Sequence, residues 1–202
     1  MPDTAKPSKT ALRRAKLREK LIDVAEAHIA TNGLHALKAR DVAKDAGCAL
    51  GAIYTHFEDM QALIMAVNGR TFRRLGTAVT SAVEDQSPAA PHDQLIVMSC
   101  AYLRFAADNT NLWRALFDLE MSTDGAVPAW YLAELAKVFN LIANPMAQIY
   151  PDKSHAELDL SVRAMFSAVH GIVLLGLEKR ISAVPMDQIE AMISELLSEI
   201  GR

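Results

Sequence analysis

The segment from residue 38 to 57 constrains the fold more than any other part of the sequence, because it predicts two short helices that meet at a tight turn. Gly47 divides this segment, since glycine readily adopts the left-handed backbone conformation that ends a helix. The spacing of apolar residues predicts helices over 38–46 and 50–57 on either side of the glycine. The faces on which these helices would pack together carry small or apolar side chains: Val42, Ala46, Ile53 and Phe57. Two helices joined in this way form a helix-turn-helix, whose second helix can enter the major groove of DNA.

The rest of the sequence also has helical periodicity. Apolar residues recur at intervals of three and four along most of the chain, and no segment of useful length alternates with the period of a β-strand. The 202 residues are 51% hydrophobic and 22% charged, which is typical of a folded globular protein. We therefore predict an all-α fold of about nine helices, with an N-terminal three-helix head and a C-terminal helical bundle. Their expected bounds are 10–32, 38–46, 50–57, 59–84, 92–109, 112–117, 128–150, 155–180 and 186–200, and the Asn144-Pro145 pair leaves open a break in the seventh.

The charge of the chain changes sign between its two parts. The first 74 residues contain 13 Lys and Arg against eight Asp and Glu, a net charge of +5, whereas the remainder carries −8. This change favours a polyanionic partner for the first part, although a solvated basic tail would give the same charge. Residues 1–9 are expected to form a flexible arm, and the proline-containing stretch 85–91 is the clearest break in the pattern. We predict two domains, residues 1–75 and 76–202.

The sequence lacks the motifs that mark several other classes of protein. The sequence has no GxSxG, HExxH or P-loop motif, so we expect no enzyme, no catalytic residue and no cofactor. Cys48 and Cys100 lie 52 positions apart without a CxxC motif, as is typical of reduced cytosolic thiols. The longest apolar run, 171–177, is far shorter than the ~20 residues that span a bilayer, and no secretory segment is visible, so we expect a cytoplasmic protein without a membrane partner. Three residues near a predicted helix start are better explained by the helix dipole than by a metal site: His155, Glu157 and Asp159.

The residues around the predicted turn follow a specific register. It reads Arg40-Asp-Val-Ala-x-x-Ala-Gly47, then Gly51-Ala-Ile-Tyr54-x-His56-Phe57, then Ala62-Leu63. Over about residues 15–75 this register resembles the DNA-binding domain of TetR/AcrR-family transcriptional regulators. The resemblance implies a sequence-specific DNA-binding regulator that responds to an effector. The expected mode of regulation is repression, in which a small organic ligand releases the protein from a palindromic double-stranded operator. The residues alone leave open a second class, a helical small-molecule-binding protein or enzyme that does not bind DNA.

The resemblance also implies which residues contact DNA. They lie in the helix-turn-helix and directly before it: Lys38, Arg40, Lys44, Ala49, Leu50, Gly51, Ala52, Tyr54, Thr55 and His56. The basic and hydrogen-bonding side chains would contact phosphates, which position the protein, whereas Leu50 and Ala52 can only meet apolar groups such as the thymine methyl. Ala49 departs from the family pattern, which has a Ser or Thr N-cap before the recognition helix, and losing that cap costs ~1 kcal/mol. Lys38 replaces a frequent Thr or Ser, and Met60 replaces a frequent Lys.

The second half of the chain carries a weaker resemblance. Tyr102-Leu-Arg-Phe105, with the later Val169-His170-Gly171, resembles a C-terminal domain class named for a Trp-His-Gly motif, with Val169 in place of the Trp. Aromatic side chains and one histidine are the candidates to bind a largely apolar, neutral or cationic effector: Tyr102, Phe105, Trp113, Phe117, Phe139, Phe166 and His170. The same side chains could instead form core alone.

The last two predicted helices carry long apolar stripes. The final helix has one stripe at helical spacing: Ile189, Met192, Ile193, Leu196, Leu197 and Ile200. Together with the helix that contains residues 164–177, it could form a four-helix seam across a two-fold axis. Packing within one chain would produce the same pattern, but the family resemblance implies a homodimer through these two helices.

Overall fold

The computed structural model describes residues 8–88, 90–119, 127–178 and 184–201, so most of the predicted N-terminal arm lies outside the described residues. Within these ranges the chain forms nine α-helices and one short 3-10 turn at Leu34–Ala36, without a strand, which confirms the all-α prediction. The helices are α1 (Lys9–Asn32), α2 (Ala39–Ala46), α3 (Leu50–His56), α4 (Met60–Gln86), α5 (Pro91–Asp108), α6 (Thr110–Asp118), α7 (Ala129–Ile149), α8 (His155–Leu177) and α9 (Met186–Ser198).

The described residues divide into two compact units. The first contains residues 8–71 together with 111–119, and the second contains the remainder. This division differs from the predicted boundary after residue 75 in two respects. It falls within α4, after Thr71, and it assigns nearly all of α6 to the first unit although α6 follows α5 in the sequence.

The core of the first unit forms where α1, α2, α3 and the start of α4 bury their apolar faces. Leu21, Ala25 and Ile29 of α1 are fully buried, since their spacing of four places them on one side of the helix. They pack in one cluster with residues of the other elements: Val42, Ala46, Ile53, Phe57, Leu63 and Val67.

The helix α6 joins this core through both apolar and polar contacts. Leu112 and Ala115 are buried in the same cluster. The amide of Asn68, itself fully buried, donates to the Ala115 carbonyl over 2.8 Å, and the Asn111 amide donates to the Ala30 carbonyl over 2.9 Å. The first of these hydrogen bonds satisfies the buried Ala115 carbonyl, whereas the second lies at an exposed position.

Ion pairs connect α4 to α1 within the first unit. The guanidinium of Arg70 lies 2.6 Å from Glu19, 2.6 Å from Asp23 and 3.2 Å from Glu26. Partial burial alone would lower the pKa of Arg70, but its hydrogen bonds to Asp23, Glu19 and Glu26 raise the pKa above the ordinary value. One cation thus holds three carboxylates that lie along one side of α1.

In the second unit α5 packs against α7, α8 and α9. Gly176 permits the close approach of α8 and α9, because a Cβ at this position would lie 2.6 Å from Cδ1 of Ile189. The helix α7 continues through Pro145, which is buried, so the chain is not broken at Asn144-Pro145. At the start of α8, Ser154 and Glu157 form a capping box, and hydrogen bonds from Ser154 lower the pKa of the Glu157 carboxyl.

Replacing Asn68 with Ala is expected to destabilise the first unit by about 1–3 kcal/mol, because the buried Ala115 carbonyl loses its donor. Urea denaturation followed by circular dichroism measures this change. Thr77→Ala, at an exposed position of the same helix, is the matched control and should change stability by less than about 0.5 kcal/mol. Equal effects of the two substitutions would contradict the role given to the buried amide.

Candidate nucleic-acid interface and ligand cavity

The turn between α2 and α3 has the geometry that Gly47 predicts. Gly47 has φ 71° and ψ 38°, in the left-handed region. Its N–H donates to the Lys44 carbonyl over 3.0 Å, and the N–H of Cys48 donates to the Ala43 carbonyl over 3.0 Å. A side chain at position 47 would be strained in this conformation, so the glycine sets the angle at which α3 leaves α2.

One face of α3 is buried in the first unit and the opposite face is exposed. Ile53 is fully buried and Phe57, directly after the helix, is 5% exposed, whereas Leu50 is 39% and Tyr54 51% exposed. The remaining predicted DNA contacts on and next to α3 lie around this outward face: Ala49, Gly51 and Thr55 are exposed, and Ala52 and His56 are half-buried. The hydroxyl of Thr55 donates to the Ala52 carbonyl over 2.7 Å.

The basic residues of the helix-turn-helix that we predict to contact DNA are all exposed. Lys38 directly precedes α2, while Arg40 and Lys44 lie on α2. Their exposure leaves the three cations accessible to an anionic partner. The structure therefore brings every predicted DNA-contact residue onto α2, α3 or the residue before each helix, in one unit.

The two ends of α3 are held differently. Ala49 is the N-cap and supplies no side-chain hydrogen bond to the first turn. At the other end, Nη2 of Arg14 in α1 donates to the Thr55 carbonyl over 3.0 Å. Because a helix leaves its last carbonyls without partners, this arginine stabilises the C-terminal end of α3 from a distance of 41 residues along the sequence.

A groove between α1 and α3 brings two arginines that were not predicted to belong to a site next to His56, a predicted DNA contact. Its lining consists of Ala11, Arg14, Ala15, Arg18 and His56. The guanidinium of Arg18 lies 4.9 Å from the ring centroid of Phe57. Burial, together with the charges of Arg14 and Arg18, lowers the pKa of His56. The basic composition of α1 points to Arg14 and Arg18 as candidates, but no local sequence pattern connects these two arginines to His56.

The second unit contains an apolar cavity of about 40 Å³ between α4, α5, α7 and α8. Twelve residues line it: Leu75, Val79, Leu95, Met98, Ser99, Tyr102, Val138, Leu141, Ile142, Met165, Phe166 and Val169. Among the predicted ligand-binding residues, Tyr102 and Phe166 belong to this lining. His170 stacks on Phe166 with ring centroids 5.6 Å apart, and Phe139 meets Phe166 edge-on at 5.1 Å.

A polar pair lies at the side of this cavity. The hydroxyl of Tyr102 and Nδ1 of His170 are 2.7 Å apart. Burial lowers the pKa of His170, so the ring is neutral near pH 7 and its Nδ1 can accept a hydrogen bond from the Tyr102 hydroxyl. The pair fixes the orientation of Tyr102 against the cavity.

The other predicted ligand-binding residues do not meet this cavity. Phe105 is half-buried on α5 but is not part of the lining. Trp113 and Phe117 belong to α6 in the first unit, where their rings contact each other at 5.7 Å; Trp113 is fully buried and Phe117 is 44% exposed.

An open groove of about 490 Å³ between α4 and α7 was not predicted from the sequence. Its polar lining includes Arg73 and Lys137, which lie 3.5 Å and 3.1 Å from the same carboxylate oxygen of Glu134. Val138 and Leu141 line both this groove and the apolar cavity. The two spaces in the second unit are therefore adjacent.

Two family models match the chain. Residues 21–67 match the model for bacterial regulatory proteins of the tetR family, and residues 95–200 match the model for a tetracyclin repressor-like C-terminal domain. The Trp-His-Gly class of the C-terminal domain stays a prediction. A search of curated protein sequences gave no significant match.

Solved structures with the same fold include three with different descriptions. A protein of unknown function from Rhodococcus sp. RHA1 is 23% identical, with a TM-score of 0.72, over 98% of this chain and 97% of that one. RolR in complex with resorcinol is 16% identical, with a TM-score of 0.66, over 92% and 89% of the two chains. The regulator FadR from Bacillus subtilis, in complex with stearoyl-CoA, is 20% identical, with a TM-score of 0.64, over 90% and 97%. At these identities the likeness establishes the fold.

Replacing Gly51 with Ala is expected to stabilise the first unit by about 0.5–1 kcal/mol while weakening its binding to duplex DNA. A Cβ at this position meets no atom within 4 Å, so the helix gains the propensity of alanine without strain. The added methyl stands on the exposed face of α3, where it would separate the helix from a DNA groove. Thermal denaturation and fluorescence anisotropy with a labelled duplex measure the two effects. Gly76→Ala, at another helical position with open space, should stabilise similarly and leave DNA binding unchanged.

Proposed function

This chain belongs to the TetR family of bacterial regulatory proteins, and from that premise we propose that it is a repressor that binds a palindromic operator as a homodimer until a small, largely apolar molecule releases it. The two family models support a ligand-responsive, DNA-binding transcription regulator. The observation that carries the proposal is the exposed face of α3 around Leu50 and Tyr54, next to the exposed cations of α2. The proposed mode of action is binding, in the cytoplasm, rather than catalysis.

Most of the proposed DNA contacts are to phosphates. Lys38, Arg40 and Lys44 can supply charge, and Tyr54 can supply a hydroxyl donor. The outward face of α3 has few groups that distinguish bases through hydrogen bonds, because the Thr55 hydroxyl already donates to the Ala52 carbonyl. Base discrimination then rests on apolar contact of Leu50 and Ala52 with thymine methyl groups.

The proposed homodimer forms through α8 and α9. Exposed large apolar side chains on these helices support this interface: Leu160 is 69%, Leu175 62%, Met192 44% and Leu196 37% exposed. Among the described residues α8 is long and apolar enough to cross a membrane by length and composition alone, and only 22% of its most apolar window is buried within one chain. A second copy of the chain would cover this surface, as large exposed apolar patches generally require a partner.

The proposed effector binds in the cavity of the second unit. Its lining is apolar except for Ser99 and the hydroxyl of Tyr102, which favours a largely apolar, neutral or cationic molecule. Ligand pockets generally have volumes of about 300–1,000 Å³, so a cavity of about 40 Å³ must enlarge to bind one. Movement of Val138 and Leu141 would join it to the groove between α4 and α7. RolR with resorcinol and FadR with stearoyl-CoA are precedents for small and large ligands on this fold.

Release requires that the effector bind the DNA-incompetent arrangement of the protein more tightly, since equal affinity for both arrangements shifts no population.

The alternative function is that of a helical ligand-binding protein or enzyme that does not bind DNA. It would predict no binding to duplex DNA at any salt concentration.

Replacing Leu175 with Asp is expected to convert the dimer to a monomer and to weaken operator binding at least tenfold, because a carboxylate would be buried at the interface without a partner. Sedimentation equilibrium gives the oligomeric state. Leu132→Asp, at a similarly exposed leucine of α7, is the control and should remain dimeric. A dimeric Leu175→Asp variant would contradict the proposed interface.

Replacing Phe166 with Ala is expected to change the affinity for an effector several-fold, because this ring lines the cavity. Phe105→Ala, which removes the same side chain outside the lining, should leave that affinity unchanged. Resorcinol serves as the first probe, and calorimetry and operator release measure binding and response. An effector whose binding is lost in Phe105→Ala but kept in Phe166→Ala would exclude this cavity as its site.

A further inference from the structure

We propose that the groove between α1 and α3 is a binding site for one backbone phosphate of DNA, in which Arg14, Arg18 and His56 are the donors. The proposal rests on DNA binding by this chain and adds two residues of α1, Arg14 and Arg18, to the interface. Both lie outside the helix-turn-helix.

The groove has space and hydrogen-bond donors for a phosphate. Ala11 and Ala15 form part of its lining and their short side chains leave space between the two arginines and the histidine. Each arginine is oriented by a contact within the protein. Nη2 of Arg14 donates to the Thr55 carbonyl over 3.0 Å, and the guanidinium of Arg18 lies 4.9 Å from the ring centroid of Phe57. A guanidinium has five N–H donors, so one contact to the protein leaves donors for phosphate oxygens.

The charges around the groove are unfavourable for the protein in the absence of an anion. Lys9, Arg13 and Arg14 lie in the first two turns of α1, and its first turn has no acidic residue. Cations at this end oppose the helix dipole, which favours negative charge there. The described lining contains no carboxylate. Glu19 lies 3.6 Å from Arg18, but this pair is exposed and weak, so a phosphate can compete with it.

Phosphate binding in the groove is coupled to protonation of His56. In the free protein, burial and the charges of Arg14 and Arg18, both from α1, lower the pKa of His56. A phosphate between these groups stabilises the imidazolium and raises the pKa in the complex. The complex therefore binds more protons than the free protein, and DNA affinity falls as the pH rises through the pKa of the bound form.

The experiment measures binding of the full chain to a labelled duplex of mixed sequence, because phosphate contacts do not depend on the operator. Affinity is recorded from pH 5.5 to 8.0 and at several salt concentrations. We expect wild-type affinity to fall about tenfold over this pH range, the change that one pKa unit produces. His56→Gln, which keeps a donor but does not titrate, should remove this dependence, and Arg18→Gln should lower the salt slope by about one.

Two controls separate the groove from general charge and from folding. Arg13→Gln removes the same charge from α1 outside the groove and should keep the pH dependence. Arg18→Lys keeps the charge and, if the protein is folded by circular dichroism, should keep most of the salt slope. Nuclear magnetic resonance of His56 in 10 mM inorganic phosphate tests whether the site prefers free phosphate.

Three results would contradict the phosphate site or the DNA binding on which it rests. If wild type binds the duplex but His56→Gln keeps its pH dependence, or if Arg18→Gln behaves as Arg13→Gln does, the groove does not bind DNA phosphate. If inorganic phosphate raises the pKa of His56 as much as the duplex does, the groove is a site for the free anion and the proposal is wrong. If wild type binds no duplex at all, the proposed DNA-binding function itself fails, which is a different result.

Discussion

The burial of one apolar face of α1 against α2, α3 and the start of α4 is the interaction on which the first unit most depends. The contact of Arg70 with three carboxylates adds an ionic connection between α4 and α1, and α1 also packs against the 3-10 turn. Single exposed ion pairs contribute little, typically below about 1 kcal/mol. Here one guanidinium with only 23% of its side chain exposed is shared by three acids, so its geometry is restricted from three directions. This network restrains the orientation of α1 that its buried apolar face sets.

The position of α3 depends on α1 as well as on the turn at Gly47. Because Ala49 provides no N-cap, α3 has no side-chain partner at its first turn. Its fixed points are the buried side chains of Ile53 and Phe57 and the hydrogen bond from Arg14 to the Thr55 carbonyl. The proposed phosphate site uses the same Arg14, so a helix that orients α3 in the free protein would also contact the DNA backbone. Stability and binding are then properties of the same residues.

The sequence predicted the local features of the fold and the local arrangement of the candidate interface, and it did not predict contacts between distant residues. Gly47 and the spacing around it predicted the turn because that conformation is set by a single residue. The sequence predicted the helix that contains Trp113 and Phe117, but not that it packs in the first unit, since this depends on hydrogen bonds such as that between Asn68 and Ala115. The same holds for Arg14, whose partner is 41 residues away. Both Phe166 and Phe105 are aromatic residues of predicted helices, and only the packing of the helices shows that Phe166 lines the cavity and Phe105 does not.

The most direct test of the account is a footprint of the protein on the DNA upstream of its own gene, combined with a salt titration of the affinity. A homodimer on a palindromic operator should protect two symmetric half-sites about one helical turn apart or a multiple of it. Its affinity should fall steeply and linearly with salt on logarithmic axes, as phosphate contacts require. Protection of a single asymmetric site, or equal affinity for this DNA and an unrelated duplex at every salt concentration, would contradict a dimeric, sequence-specific regulator.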